Sequence, residues 1–146
     1  MTTSLDERRE SIAGRVSGKI ALVTGGASGI GRATAILLAE QGARVAVADL
    51  SEADGQEVIR AIESKGGEAF FSRMDVTSEA SVQNTVAQII EKWRCLDVLV
   101  NNAGVAGIQK PIHEVTAKEY DSVMDVNVRG VFHCTKHSIL AMREGG

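Results

Sequence analysis

Between Thr24 and Gly31 the chain reads Thr-Gly-Gly-Ala-Ser-Gly-Ile-Gly, directly after an apolar run and directly before residues at helical spacing. Glycines so placed permit a tight turn, let backbone approach an anion, and let a helix pack closely on the strand before it. The free amides of a helix's first turn, with the positive end of its dipole, then favour a phosphate. Gly25, Gly29, Ile30 and Gly31 are therefore candidate binding residues through their backbone. Ser28 is available either to donate to the phosphate or to cap the helix. A triphosphate-binding loop is the nearest rival, since Gly26 and Gly31 have its four-residue gap. Arg32 and Ala33, however, replace the lysine and hydroxyl that such a loop needs.

Asp49 follows eighteen residues after Gly31 and ends a second apolar run that starts at Arg44. A carboxylate at that spacing accepts hydrogen bonds from ribose hydroxyls and repels a 2′-phosphate. Ala27, Ser28 and Leu50 offer no cation for such a phosphate. NAD is expected over NADP. Asp49 can also serve as a turn or cap residue, and the two roles are compatible.

These groups need strands to present them. Four short apolar segments supply candidates: 19–24, 44–49, a weaker stretch within 68–75, and 97–101. Helical spacing separates them. Ile30, Ala33, Leu37 and Leu38 form one stripe, stopped by Gly42. Ser51 with Asp54 resembles a capping box before Val58, Ala61 and Ile62, and Gly66-Gly67 ends that helix. Val82, Val86, Ile89, Ile90 and Trp93 form the strongest stripe. A second capping pair, Thr116 and Glu119, opens a long helix to about Arg143, with Tyr120, Met124, Val128, Val131, Thr135, Ile139 and Met142 along its stripe. Strand and helix alternate four times, which implies an α/β protein with parallel strands, right-handed crossovers and helices on both faces.

In combination, Thr24 to Gly31 and the segment Asn101-Asn102-Ala103-Gly104 resemble the TGxxxGIG and NNAG motifs of the short-chain dehydrogenase/reductase family. Asp75-Val76 and Asn127 also match positions of that family, and the likeness runs from residue 18 to 146. The resemblance implies a Rossmann-type doubly wound sheet of strand order 3-2-1-4. It implies that Asp75 bonds the adenine amino group and that the Val76 backbone helps hold the ring. Asn102, Ala103 and Gly104 would line the cofactor, with Asn101 either structural or in contact. Asn127 would help order a water in a proton relay. The implied reaction is hydride transfer between NAD(H) and a small alcohol or ketone.

The family's Ser and Tyr-x-x-x-Lys are missing. Tyr120 is the single tyrosine, and Met124 stands four places on. The expectation is thus a domain over residues 18–146, incomplete at its carboxyl end, truncated after the fourth strand and the long helix, and inactive by itself. Pairing with a second copy or with a full-length relative is also expected, because an uncovered fourth strand exposes an apolar edge. The alternative is a non-catalytic nucleotide-binding or regulatory fragment.

The remaining composition narrows the field. The 146 residues carry a net charge of −3 with no basic run, which argues against nucleic acid. No apolar run is long enough for a membrane span. Cys95 and Cys134 stand alone, which suits a reducing cytoplasm. His133 and His137 have a spacing that can hold a metal, but no third ligand is evident, so helix packing is the favoured reading and no metal is expected. Residues 1–17, of mixed charge and lacking an apolar core, read as a flexible tail or short helix rather than a targeting signal.

Overall fold

The computed structural model describes residues 14–144. Its elements alternate as expected: β1 (Ile20–Thr24), α1 (Gly29–Glu40), β2 (Arg44–Asp49), α2 (Glu52–Glu63), β3 (Ala69–Arg73), α3 (Glu79–Trp93) and β4 (Val98–Val100). A short 3-10 turn (Ile112–Glu114) leads to α4 (Ala117–Met124), a π turn (Asp125–Arg129) and α5 (Gly130–Glu144). The four strands are parallel in the order β3-β2-β1-β4. In register, Leu22 faces Ala46 on one side and Leu99 on the other.

Alternation along β1 feeds two cores. Ile20 and Leu22 join Val82, Val86, Ile89 and Trp93 of α3, with Cys134 of α5. Val23 joins Val45 and Val47 with Ala35 and Ala39 of α1 and Val58, Ile59 and Ile62 of α2. Each fully buried aliphatic side chain is worth roughly 1.5–3 kcal/mol, so β1 and β2 anchor the domain. Trp93 is core, as its stripe suggests, and its indole N–H donates to Glu68 at 2.7 Å.

Two expected stripes are turned largely outward, although Leu38 and Met142 still pack against the cores. On α1 the buried residues are Gly31, Ala35 and Ala39, whereas Ile30 is 80% exposed and Leu37 also faces out. The long helix is interrupted by the π turn, and its buried residues are Gly130, His133, Cys134, Ser138 and Ala141. Tyr120, Val128, Val131 and Ile139, expected along the core stripe, are exposed. The reason is distance. Helices lying close on the sheet put small residues against it, and their bulky side chains are displaced outward.

The caps also sort unevenly. Thr116 and Glu119 form a full capping box, but Ser51 makes no cap bond and donates instead to the Asp54 carboxylate at 2.7 Å. Ser78 caps α3 without having been anticipated. At the amino end, residues 14–17 are a turn docked on α1. Val16 N donates to Gln41 O at 3.3 Å, and Gly18 N donates to Gly42 O at 3.0 Å. The packed chain therefore starts before residue 18. The remainder of the expected tail, residues 1–13, lies outside the described residues.

Candidate functional site

The carboxyl ends of the strands open onto a cleft of about 420 Å³, within the range of small-molecule sites. Gly25, Ser28, Gly29 and Ile30 form one wall, and Asp49, Asp75 and Val76 form the next. Asn102, Ala103 and Gly104 close the third side. Sequence reading missed Leu50, Met74, Val105 and Val126, which also line it. All four are neighbours of predicted residues, namely Asp49, Asp75, Gly104 and Asn127, and could have been found from that adjacency. Val126 reaches the cleft from the π turn, for which the sequence carries no clear signal.

The glycine turn is held through Gly26 N, which donates to Ala48 O at 3.1 Å, and Ala27 N, which donates to the Asp49 carboxylate. Gly25 has a φ of +61°, and a Cβ there would sit 2.9 Å from both Ala103 Cα and the Asn102 side-chain nitrogen. Gly31 does not line the cleft; it lies against the Gly25 carbonyl, where a Cβ would clash with backbone. Gly29, at φ +51°, has open space where a side chain would go. The first helical bond of α1 runs from Arg32 N to Ser28 O at 3.0 Å. The amides of Gly29, Ile30 and Gly31 precede that bond, and Ser28 makes no side-chain cap. Gly26, Ala27 and Gly31 are buried, but the tip of the bend at Ser28, Gly29 and Ile30 is exposed.

Asp49 has the turn role in full. Its carboxylate accepts from Ala27 N at 3.0 Å, Leu50 N at 2.7 Å and Ser51 N at 3.2 Å. It thus ties the glycine loop to β2, and a carboxylate's four or so acceptor sites leave room for more. On β3, Arg73 stands opposite Asp49 in register and is exposed. Asp75 accepts from Thr77 N and Thr77 Oγ1 through one oxygen, Oδ1, at 2.9 and 2.7 Å.

The Asn pair divides its work. Asn102 is the staple: its side-chain nitrogen donates to Thr24 O and Gly25 O, each at 3.0 Å. Buried Thr24 Oγ1 accepts from the Asn102 and Ala103 amides. Asn101 is exposed and donates to Thr135 Oγ1 at 3.1 Å. Asn127 lies in the π turn, outside the cleft lining. Its amide clamps one residue from both sides, accepting from Val105 N at 2.8 Å and donating to Val105 O at 2.9 Å.

The two helix histidines turn to neighbouring backbone and carboxylate. His133 Nδ1 lies 3.0 Å from Val76 O, and His137 Nε2 lies 2.8 Å from Glu79. Lys136 reaches the same Glu79 oxygen, and the hydrogen bonds from Lys136 and His137 hold the Glu79 carboxyl down to about 2. His113 is exposed in the short 3-10 turn, beside Glu114. Burial pushes the Cys134 thiol up to about 11. Among the described residues no helix is long and apolar enough to cross a membrane.

An open parallel sheet with a glycine turn at its first strand end, and acids at the next two, defines a Rossmann-type dinucleotide-binding architecture. The chain belongs to the short-chain dehydrogenase family, whose family model matches residues 19–146. It is 44% identical over 131 residues to a 2,5-dichloro-2,5-cyclohexadiene-1,4-diol dehydrogenase of Sphingobium indicum, covering 90% of this chain and 51% of that one. A 3beta-hydroxysteroid dehydrogenase of Mediterraneibacter gnavus is 40% identical over 135 residues, covering 92% and 49%. Among solved structures, a mutant short-chain dehydrogenase/reductase of Serratia marcescens superposes with a TM-score of 0.83 at 34% identity, covering 87% of this chain and 52% of that one. A 3-ketoacyl-ACP reductase from Sinorhizobium meliloti gives 0.81 at 36%, covering 84% and 48%. The chain spans about half the length of the curated relatives it matches.

Proposed function

We propose that this chain supplies the cofactor-binding part of an NAD(H)-dependent dehydrogenase that interconverts an alcohol with a ketone or aldehyde. The observation that carries the reading is the pair of unspent amides at Gly29 and Ile30, on residues that line the cleft with Asp49. The diphosphate would rest on those amides, with Ser28 free to donate. Asp49 would accept from the adenosine ribose, and Asp75 with Val76 would hold the adenine. Ala103 and Gly104 would line the far side, while Asn102 keeps the glycine turn in shape. When bound, the dinucleotide supplies the hydride chemistry.

Asn127 has both amide atoms on Val105, so its part in ordering a water falls to its backbone. The Gly130 N–H reaches back to Asp125 O, and a π turn of this kind leaves a carbonyl without its usual helical partner. Proton transfer needs a base of suitable pKa, worth about 10²–10⁴-fold. Residues 1–146 contain no Tyr-x-x-x-Lys to provide it. The 146-residue polypeptide is expected to bind NAD and turn nothing over. A second copy or a full-length relative is the proposed partner, meeting the β4 edge and the outward face of α5, and a cytoplasmic setting suits the unpaired thiols.

Titration calorimetry of NAD and NADP tests the assignment. NAD should bind more tightly, and Asp49→Asn, which keeps an acceptor oxygen but loses the charge, should narrow the gap by about tenfold. Absence of heat with either dinucleotide defeats the cofactor reading. Equal affinities with an indifferent Asp49→Asn variant defeat the preference alone, and the exposed Arg73 beside Asp49 would then be the first residue to replace.

A further inference from the structure

We propose that His133 is a positioning residue for the adenine end of the cleft, acting through the Val76 carbonyl. The proposal rests on the dinucleotide reading above. His133 is buried on α5, 57 residues along the chain from the carbonyl it meets at 3.0 Å. A carbonyl only accepts, so Nδ1 carries the hydrogen. Val76 lines the cleft next to Asp75, at the point where the chain leaves β3 for α3.

The same residue is pressed from a second side. A Cβ on Gly130 would lie 2.6 Å from Val76 Cγ2 and 2.9 Å from its Cβ. Three residues on, Glu79 accepts from Lys136 Nζ and His137 Nε2, each at 2.8 Å. Helix α5 therefore grips both ends of the segment 76–79. One residue before the first grip, the Asp75 carboxylate accepts from Thr77, which lies between the grips, through Oδ1 alone, which leaves Oδ2 for a ligand. Its aim depends on where α5 holds the Val76 peptide.

A purely structural hydrogen bond would, on removal, weaken every dinucleotide alike. A positioning bond alters the choice of base. Calorimetry should compare NAD with nicotinamide hypoxanthine dinucleotide, which lacks the adenine amino group, on the full 146-residue chain. The wild type is expected to prefer NAD by about tenfold, the scale of one well-placed hydrogen bond to a charged group. His133→Ala should reduce that preference to about twofold. His133→Asn, whose amide nitrogen falls near Nδ1, should restore most of it. Gly130→Ala keeps both bonding groups but crowds the Val76 side chain, and it too should lower the preference.

An unchanged preference in His133→Ala overturns the proposal, and so does His133→Asn behaving no better than His133→Ala. If His133→Ala fails to fold, an undiminished preference in Gly130→Ala does the same. A wild type that binds both dinucleotides equally removes this inference alone, whereas one that binds neither removes the cofactor reading with it.

Discussion

Strands β1 and β4 are both apolar and hydrogen-bonded to each other, yet they occupy different environments. Every residue of β1 is buried, whereas Val98, Leu99 and Val100 are only partly so. β1 has a neighbour on each side; β4 has β1 alone. The glycine turn grows from the enclosed strand, and the Asn101 to Gly104 segment grows from the open one. The difference separates a phosphate cradle whose frame is complete from a flank that presents apolar surface. The two are joined by Thr24 Oγ1 and the Asn102 side chain, which cross between the strand ends. Affinity for the dinucleotide should therefore respond to the β1 side, and association to the β4 and α5 side.

Truncation in the two strands gives the largest effect. Leu22→Ala should cost about 4 kcal/mol, since it opens a cavity among fully packed neighbours. Leu99→Ala should cost roughly half as much, because a partly exposed site loses less burial and can be filled by water. Urea unfolding of the two variants measures both. Equal losses would mean that β4 is as enclosed as β1, and the contrast would fail.

Gly31→Ala comes next, at about 2–3 kcal/mol. Its new methyl meets the Gly25 carbonyl and the Asn102 side chain, so the turn must open. NAD binding should be lost even where the folded fraction, followed by circular dichroism, stays high. Gly29→Ala, with open space around it, should show the smaller cost of a strained φ alone.

Substitutions on the outward face of α5 should barely touch stability. Phe132→Ser and Ile139→Lys alter exposed residues and should stay within about 0.5 kcal/mol of the parent. Sedimentation should show the parent chain self-associating and these variants doing so less. A parent that sediments as a monomer at all concentrations would leave the exposed face without the proposed partner.

How far the sequence could be read follows the same division. Strand positions, the parallel class and the α3 stripe were legible, because buried strands are continuous apolar runs and α3 packs with large side chains at regular spacing. The glycine turn and Asp49 were legible because their chemistry demands particular residue types. Helices α1 and α5 were largely misread for one physical reason: apart from His133, their buried residues are Gly, Ala, Cys and Ser, while hydrophobic periodicity follows the bulky apolar side chains. The π turn at Asp125–Arg129 was hidden because the side-chain clamp of Asn127 on Val105 pairs residues 22 positions apart. The structural burden on Asn102 rather than Asn101 was hidden too, since two adjacent asparagines differ only in which way the chain turns them.

The smallest effect lies in two carboxylates, one on each side of the division. Glu79 is held near 2 by hydrogen bonds from Lys136 and His137, and Glu119 is held near 2 by Lys110 and the Thr116 cap. Both lie below the ordinary value of 4.5, so each contributes stability that is fully present above about 4.5 and is lost as pH falls towards 2. Both groups are half-buried at the surface and salt screens such pairs, so the melting temperature should shift only slightly. Their reach differs, however. Glu119 closes a bond within the first turn of α4, whereas Glu79 ties α3 to α5 across 57 residues of chain. Glu79→Gln should flatten the acid limb of the stability curve and speed amide exchange in α5 at neutral pH. Glu119→Gln should flatten the same limb and speed exchange only at the start of α4. If Glu79→Gln leaves α5 as protected as before, then burial of His133, Cys134 and Ala141 is enough to hold the helix, and the ion pair is decoration on a joint made by packing.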